Sequence, residues 1–229
     1  MTALPWTERI AAARETLAGS EGQAEEALVA EQTALARRVR LDPLGAGAPA
    51  TVTGVDVQYG DDGARSALVT LALPSLTVTH TERATGRPGE GYAFGFLAYR
   101  ELPVILDVLA RLEGPPEVLF YDGNGTLHPR GCGAASHLGV LLDIPVIGVS
   151  KNVAAWRPFA ETRRGETRML EGGRGALLVT RDDVNPVCVS PGHRVDLASA
   201  LALTLAVSHV RLPEPIRLAD RLARHGDLG

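Results

Sequence analysis

Val118-Leu119-Phe120-Tyr121 is an unbroken apolar run that ends in Asp122-Gly123-Asn124-Gly125. A short run of this kind, bounded by turn residues, reads as an interior strand of a sheet flanked by helices, and in such sheets ligands collect beyond the carboxyl ends of the strands. Two glycines in three residues let backbone approach a flat or charged ligand, because no Cβ intervenes. Asp122 therefore reads in two ways: as the carboxylate of a site, or as a strand-end residue that bonds nearby amides.

Two other carboxylates bear on that choice. Asp56 lies inside the β-branched stretch Thr51-Val52-Thr53-Gly54-Val55-Asp56-Val57-Gln58-Tyr59, where it shares a face with Gly54 and Gln58 and opposes Val55 and Val57. Burying it unpaired costs several kcal/mol, roughly, so it must pair, protonate or bind a cation. Glu101 stands in Phe96-Leu97-Ala98-Tyr99-Arg100-Glu101-Leu102-Pro103, ahead of the amphipathic run Val104 to Leu112. In the first turn of a helix it also has a plainer use, as a charge that suits the dipole.

Outward from these segments, the chain predicts two helices within residues 5–39, divided at Gly19-Ser20-Glu21-Gly22. Strands follow near 51–59, 65–73 and 76–83, with short breaks that imply two antiparallel hairpins. A helix at about 97–112, a strand at 117–122, a helix at about 131–142 and a strand at 145–150 complete a pattern that predicts a mixed sheet flanked by helices. Arg163, Arg164, Arg168 and Arg174 punctuate a stretch that reads as a solvated loop or hairpin. Two more strands are expected at 175–181 and 186–190, then a turn carrying His193 at the entrance of a helix from about Asp196 to Val210. The segment Leu212 to Asp220 reads as a docking segment and last short helix, with no chemistry assigned to it.

At 229 residues without a repeat or a long polar spacer, one domain is expected, with a helical segment and connector over 1–50, a core over 51–150 and an extension over 151–229. No apolar stretch approaches the ~20 residues of a membrane span, and the N-terminus lacks the arrangement of a signal peptide. A cytoplasmic monomer away from membranes is expected. Cys132 and Cys188, without Cys-x-x-Cys spacing, indicate neither a disulfide framework nor a zinc site. The net charge of -4 argues against broad adhesion to nucleic acid while leaving room for a local basic groove. All but one of the 23 basic residues are Arg. The exception, Lys151, follows the strand-like Pro145 to Ser150 and suits a place beside a phosphate, where a compact ammonium serves better than a planar guanidinium.

Asp56, Glu101 and Asp122 can converge on one edge of the sheet if a cation relieves their repulsion. Mg²⁺, which prefers oxygen and keeps several waters, fits that need. Such a site suits phosphoryl chemistry, with His193 orienting or deprotonating water and Lys151 contacting the phosphate or the nucleophile. A rival reading has Cys132 or Ser136 as a covalent nucleophile with His128 or His137 as base, although their spacing matches no nucleophile elbow. Another has a module that binds damaged nucleic acid without cutting it.

The chain resembles the endonuclease V family, the deoxyinosine 3′ endonucleases. The resemblance is carried by Gly54-Val55-Asp56-Val57, Gly95-Phe96-Leu97-Ala98-Tyr99-Arg100-Glu101, Asp122-Gly123-Asn124-Gly125 with His128-Pro129-Arg130, Ala135-Ser136-His137-Leu138-Gly139, Ile147-Gly148-Val149-Ser150-Lys151, Gly192-His193-Arg194-Val195 and Arg211-Leu212-Pro213-Glu214-Pro215, over about residues 30 to 220. It implies a ribonuclease H-like fold and a Mg²⁺-dependent nuclease, with Mn²⁺ as a substitute metal. That nuclease acts on inosine in DNA, and in some members RNA, and cuts the second phosphodiester bond 3′ to it, leaving a 3′-hydroxyl and a 5′-phosphate. It further implies that Asp56, Glu101 and Asp122 bind metal, that His193 is an additional catalytic histidine, and that Tyr92 is a strand-separating wedge. The base pocket would form around Gly95, Leu97, Gly123 and Gly125. The chain departs from the bacterial family pattern Pro-Tyr-Ile-Pro, having Gly91-Tyr92-Ala93-Phe94 instead. Loss of two prolines removes stiffness, and Phe94 adds an aromatic that can stack on a base or simply pack. Lys151-Asn152 also stands where the family often has two lysines.

Overall fold

The computed structural model describes residues 4–45, 47–60, 63–89, 94–151 and 162–228. Tyr92 and Asn152 fall outside them. The described residues form eight strands in one mixed sheet of order β3-β2-β1-β4-β5-β8-β7-β6. The first three, β1 (Thr51–Gly60), β2 (Gly63–Ala72) and β3 (Thr77–Gly86), pair antiparallel as the two short breaks require. β4 (Leu119–Asp122) and β5 (Val146–Ser150) then run parallel to β1. Beyond them the sheet turns antiparallel again through β8 (Val187–His193), β7 (Ala176–Leu178) and β6 (Thr167–Met169). The expected mixed sheet is therefore present, and it continues past the parallel strands into three more antiparallel ones.

Strand alternation sends side chains to two separate cores. Val55, Val57, Leu119 and Tyr121 face a layer made by α1 (Trp6–Ser20), α3 (Leu97–Leu109) and α4 (Ala134–Leu142). Val52, Phe120, Ile147 and Val189 face α5 (Leu197–Ala206) and α6 (Glu214–His225). α1 buries Trp6, Ile10, Ala13 and Leu17, the spacing of one helical face. α2 (Glu25–Ala36) follows after the predicted break and packs against α4.

Three expectations change. Glu101 is the fifth residue of α3, in its second turn, past the reach of a first-turn dipole effect. The arginine-rich stretch is a hairpin, β6–β7, as one of its two readings had it, but Arg164 is no solvated charge: its guanidinium donates to the carbonyls of Thr180, Ser208 and Leu205. His193 is the last residue of β8 rather than part of a turn at a helix entrance. α5 begins four residues later behind Asp196, whose carboxylate caps it by accepting from the Ser199 amide at 2.7 Å.

His137 on α4 is fully buried against Tyr99, with ring centroids 5.1 Å apart. Glu31 Oε1 lies 3.8 Å from its Nε2, too far for a hydrogen bond, and burial lowers its pKa from 6.5 to about 4. The folded protein thus keeps this ring neutral where the unfolded chain takes up a proton. Stability from this residue is full above the unfolded value of 6.5 and declines as pH falls toward 4, at up to about 1.4 kcal/mol per pH unit. Urea titrations between pH 7 and 4.5 check this: His137→Leu should have a flatter pH dependence than the parent chain.

Candidate active site

Four acids from four elements line one cleft of about 190 Å³: Asp56 from β1, Glu101 from α3, Asp122 at the end of β4 and Asp220 from α6. The β1–β4 register aligns Val55 with Tyr121, so the next residues, Asp56 and Asp122, are side by side on parallel strands and face the same helix. That helix can come close because Gly54 has no side chain. A Cβ there would overlap the Pro215 carbonyl at the start of α6. The approach brings Asp220, one and a half turns along α6, over the same edge. Gln58, on the same face of β1, ties the two acids together through its amide, which donates to Asp56 Oδ2 at 2.8 Å and Asp220 Oδ1 at 3.0 Å.

Each remaining acid has its own partner. Tyr121 donates to Glu101 Oε2 at 2.6 Å and Tyr59 to Oε1 at 3.2 Å, so two phenols fix that carboxylate from the opposite face of the sheet. Lys151 Nζ sits 2.7 Å from Asp122 Oδ2. Arg224 pairs with Asp220 at 3.0 Å. Burial raises Asp56 to a pKa of about 7, against the pull of Gln58 and with help from Asp122 and Asp220. Burial likewise raises Glu101, against the hydrogen bonds from Tyr121 and Tyr59. At Lys151 burial works to lower the pKa, but Asp122, Asp56 and Asp220 outweigh it and the net shift is upward.

Four carboxylates against two cations leave an uncompensated negative charge in a cleft whose donors are all oxygen. A hard divalent cation with retained waters fits both the charge and the donor type. The cage is not closed: among the described residues no three His, Cys, Asp or Glu are gathered closely enough to hold an ion as they stand. Lys151 pairs with Asp122, and the two phenols bond Glu101.

Of the residues singled out from sequence, Asp56, Glu101, Asp122 and Lys151 come together in this cleft. His193 does not. β8 runs antiparallel to β5 and pairs His193 with Val146, the first residue of β5, whereas Asp122 aligns with Val149 near its other end. The ring is buried, bonded to Asp143 Oδ1 at 3.1 Å through Nε2 and accepting the Arg40 amide at 3.2 Å on Nδ1. Its geometry is that of a structural bond between α4's end and the connector. The covalent alternative also falls: burial pushes the Cys132 thiol up to about 12, Ser136 is fully buried, and burial holds His137 and His128 at about 4.

The glycines also serve the protein's own packing. Gly125 abuts the Pro191 carbonyl and gives its amide to Ser190 Oγ at 2.9 Å, while a Cβ at Gly123 would meet the Tyr121 ring at 2.9 Å and Leu97 at 4.0 Å. They let protein backbone and side chains pack on the loop, and only Gly95 among them has a positive φ, 89°. Phe94 is 86 % exposed, which excludes the packing alternative for it. The acid missed from sequence is Asp220. On a helix with Glu214, Arg217 and Arg224 at its polar positions, it looks like a solvated surface charge, and only Gly54's clearance for α6 hints otherwise.

The fold and site define an α/β protein with a carboxylate-lined, cation-seeking cleft at the carboxyl ends of its parallel strands. A family model for endonuclease V matches residues 33–221. Endonuclease V of Roseiflexus sp. (strain RS-1) is 46 % identical over 181 residues, covering 77 % of this chain and 82 % of that protein. The crystal structure of endonuclease V from Streptomyces avermitilis superposes with a TM-score of 0.83 at 41 % identity, over 91 % of this chain and 95 % of that one. That of Ciona intestinalis endonuclease V, in complex with a 24mer DNA containing an inosine followed by a ribo-adenosine, gives 0.75 at 26 % identity over 86 % and 95 % of the two chains. The chain belongs to the endonuclease V family, and it is an endonuclease.

Two outcomes follow from the packing. Gly54→Ala forces α6 away from β1 and should cost about 1–3 kcal/mol, together with activity, measurable by denaturant titration and by nicking. His193→Ala should lower the melting temperature while turnover at saturating substrate stays within about twofold, because it removes bonds to Asp143 and Arg40 and none to the cleft.

Proposed function

We propose that the chain hydrolyses nucleic acid at inosine, a product of adenine deamination, in cytoplasmic DNA repair. It cuts the second phosphodiester bond on the 3′ side, with Mg²⁺ as the working metal and Mn²⁺ as a substitute. The observation that carries the reading is the convergence of Asp56, Glu101, Asp122 and Asp220 in one cleft of an endonuclease V chain. A nucleic-acid substrate is supported by the complex of the Ciona relative with inosine-containing DNA. No helix among the described residues is long and apolar enough to cross a membrane. The chain would act as a monomer.

Asp56, Asp122 and Glu101 would hold the metal, with Asp220 beside them. When bound, it lowers the pKa of water and polarises a phosphate oxygen. The chain's own residues do the remaining work. Gln58 keeps Asp56 and Asp220 at a fixed spacing, and Tyr59 and Tyr121 keep Glu101 turned to the cleft. Lys151, a charged ammonium on Asp122, would contact the phosphate. Water adds to phosphorus, the bond from phosphorus to O3′ breaks, and the products are a 3′-hydroxyl and a 5′-phosphate. The base would be received near Gly95, Leu97, Gly123 and Gly125, with Tyr92 as the wedge and exposed Phe94 as a second stacking surface.

Nicking of a duplex with one inosine, in Mg²⁺ against EDTA, tests the reading directly. Cleavage should appear only with metal and only in the inosine strand. Asp56→Ala and Asp122→Ala should each lower turnover by at least about 10³-fold while circular dichroism shows a folded protein. Retained turnover in either variant would sink the assignment. Asp220→Asn should cost activity mainly through metal affinity, seen as a higher Mg²⁺ requirement.

A further inference from the structure

The peptide that leads into α3 is held by a single carbonyl. Gly95 O accepts from three side chains: Gln32 Nε2 of α2 at 3.0 Å, and His128 Nε2 at 3.1 Å and Arg130 Nη2 at 2.9 Å from the loop after β4. The tautomer is set internally, since His128 Nδ1 accepts the Arg130 amide at 3.3 Å and leaves the proton on Nε2. Arg130 is in turn immobilised. Its Nε donates to Gln32 Oε1 at 2.6 Å, and its guanidinium lies 4.5 Å over the Phe96 ring. Gln32 therefore uses both ends of its amide, one on Arg130 and one on Gly95, and is only 1 % exposed. It precedes the segment matched by the family model, which begins at residue 33.

This clamp has two things attached to it. On one side of Gly95 stands Phe94, an aromatic ring in solvent; on the other is Leu97, first residue of the helix that carries Glu101 and neighbour of Gly123. A side chain at Gly95 would crowd Arg130 Nη2 at 2.7 Å, so the carbonyl's direction depends on that glycine and on its three donors. An exposed aromatic binds an unstacked base well only if the backbone beneath it is held. The buried polar network provides that hold, because turning the carbonyl away would break three hydrogen bonds at once, from Gln32, His128 and Arg130.

We propose that Gln32 is a positioning residue for the substrate. Through Arg130 and the Gly95 carbonyl it fixes Phe94 as a stacking platform for a base of the bound strand and sets the spacing between that platform and α3. The inference rests on the nuclease reading above. It assigns a role in substrate recognition to the N-terminal helical pair, at a distance from the acids.

The experiment is a double-mutant cycle on the full chain with Gln32→Glu and Phe94→Ala, read by KM and kcat for nicking an inosine-containing duplex and by melting temperature. Gln32→Glu keeps an oxygen for Arg130 and replaces the donor to Gly95 with a second acceptor. Each single variant should raise KM about tenfold with kcat within about twofold, and the double variant should be no worse than either. Additive losses, an unchanged KM, or a fall in kcat that tracks the melting temperature would overturn the proposal. If Gln32→Glu does not fold, Arg130→Lys, which keeps the charge but loses the planar fork, is put through the same cycle with the same expectations. If the parent chain does not nick inosine duplexes at all, the nuclease reading fails by itself. The cycle is then read by fluorescence anisotropy of the labelled duplex in EDTA, where a non-additive rise in Kd supports the clamp and additivity or no change overturns it.

Discussion

Asp56 and Asp122 stand next to each other on parallel strands and face the same helix, and much of the architecture around them manages that like-charge pair. Left alone, two adjacent carboxylates in a partly buried cleft would drive one another to protonate. The pKa of about 7 at Asp56, raised first by burial, shows how near the site comes to that limit. Lys151, just after β5, answers Asp122, Arg224 answers Asp220, and the Gln58 amide bridges Asp56 and Asp220. Each of these comes from a different element, so the cleft exists only when β1, β4, β5 and α6 are all in place.

Close backbone approach is the means by which those elements reach the cleft. Gly54 admits α6, Gly125 admits β8 at Pro191 and Gly148 admits the loop after β4. A methyl at any of these would displace a backbone atom rather than a flexible side chain, and tightly packed interiors do not absorb such shifts cheaply. The glycines of the Asp122 loop thus serve the protein's own packing as much as any ligand. What projects from this framework is the exposed ring of Phe94, beside the clamped Gly95 carbonyl.

Features encoded over short range were legible in the chain. The helix break at residues 19–22, both hairpins and the parallel strands could be read because local turn residues and period-two patterning encode them. Asp56 and Asp122 were legible because a carboxylate inside or at the end of an apolar strand is costly and therefore informative. Asp220 was not, since an acid among the arginines of an amphipathic helix carries no such signal. His193 was misplaced for a related reason: the Pro191-Gly192 pair reads as a turn, whereas β8 continues through it along β5.

The sequence by itself determined the membership in the endonuclease V family, the mixed sheet and the identities of three site acids, all of which rest on local pattern and motif order. Only the tertiary structure decided which residues share the cleft, because that depends on β8 inserting antiparallel beside β5 and on α6 settling against Gly54. Those pairings join residues far apart along the chain, such as Asp56 and Asp220. Their register is set by packing and by the cost of leaving buried polar groups unpaired, neither of which can be read from neighbours along the chain.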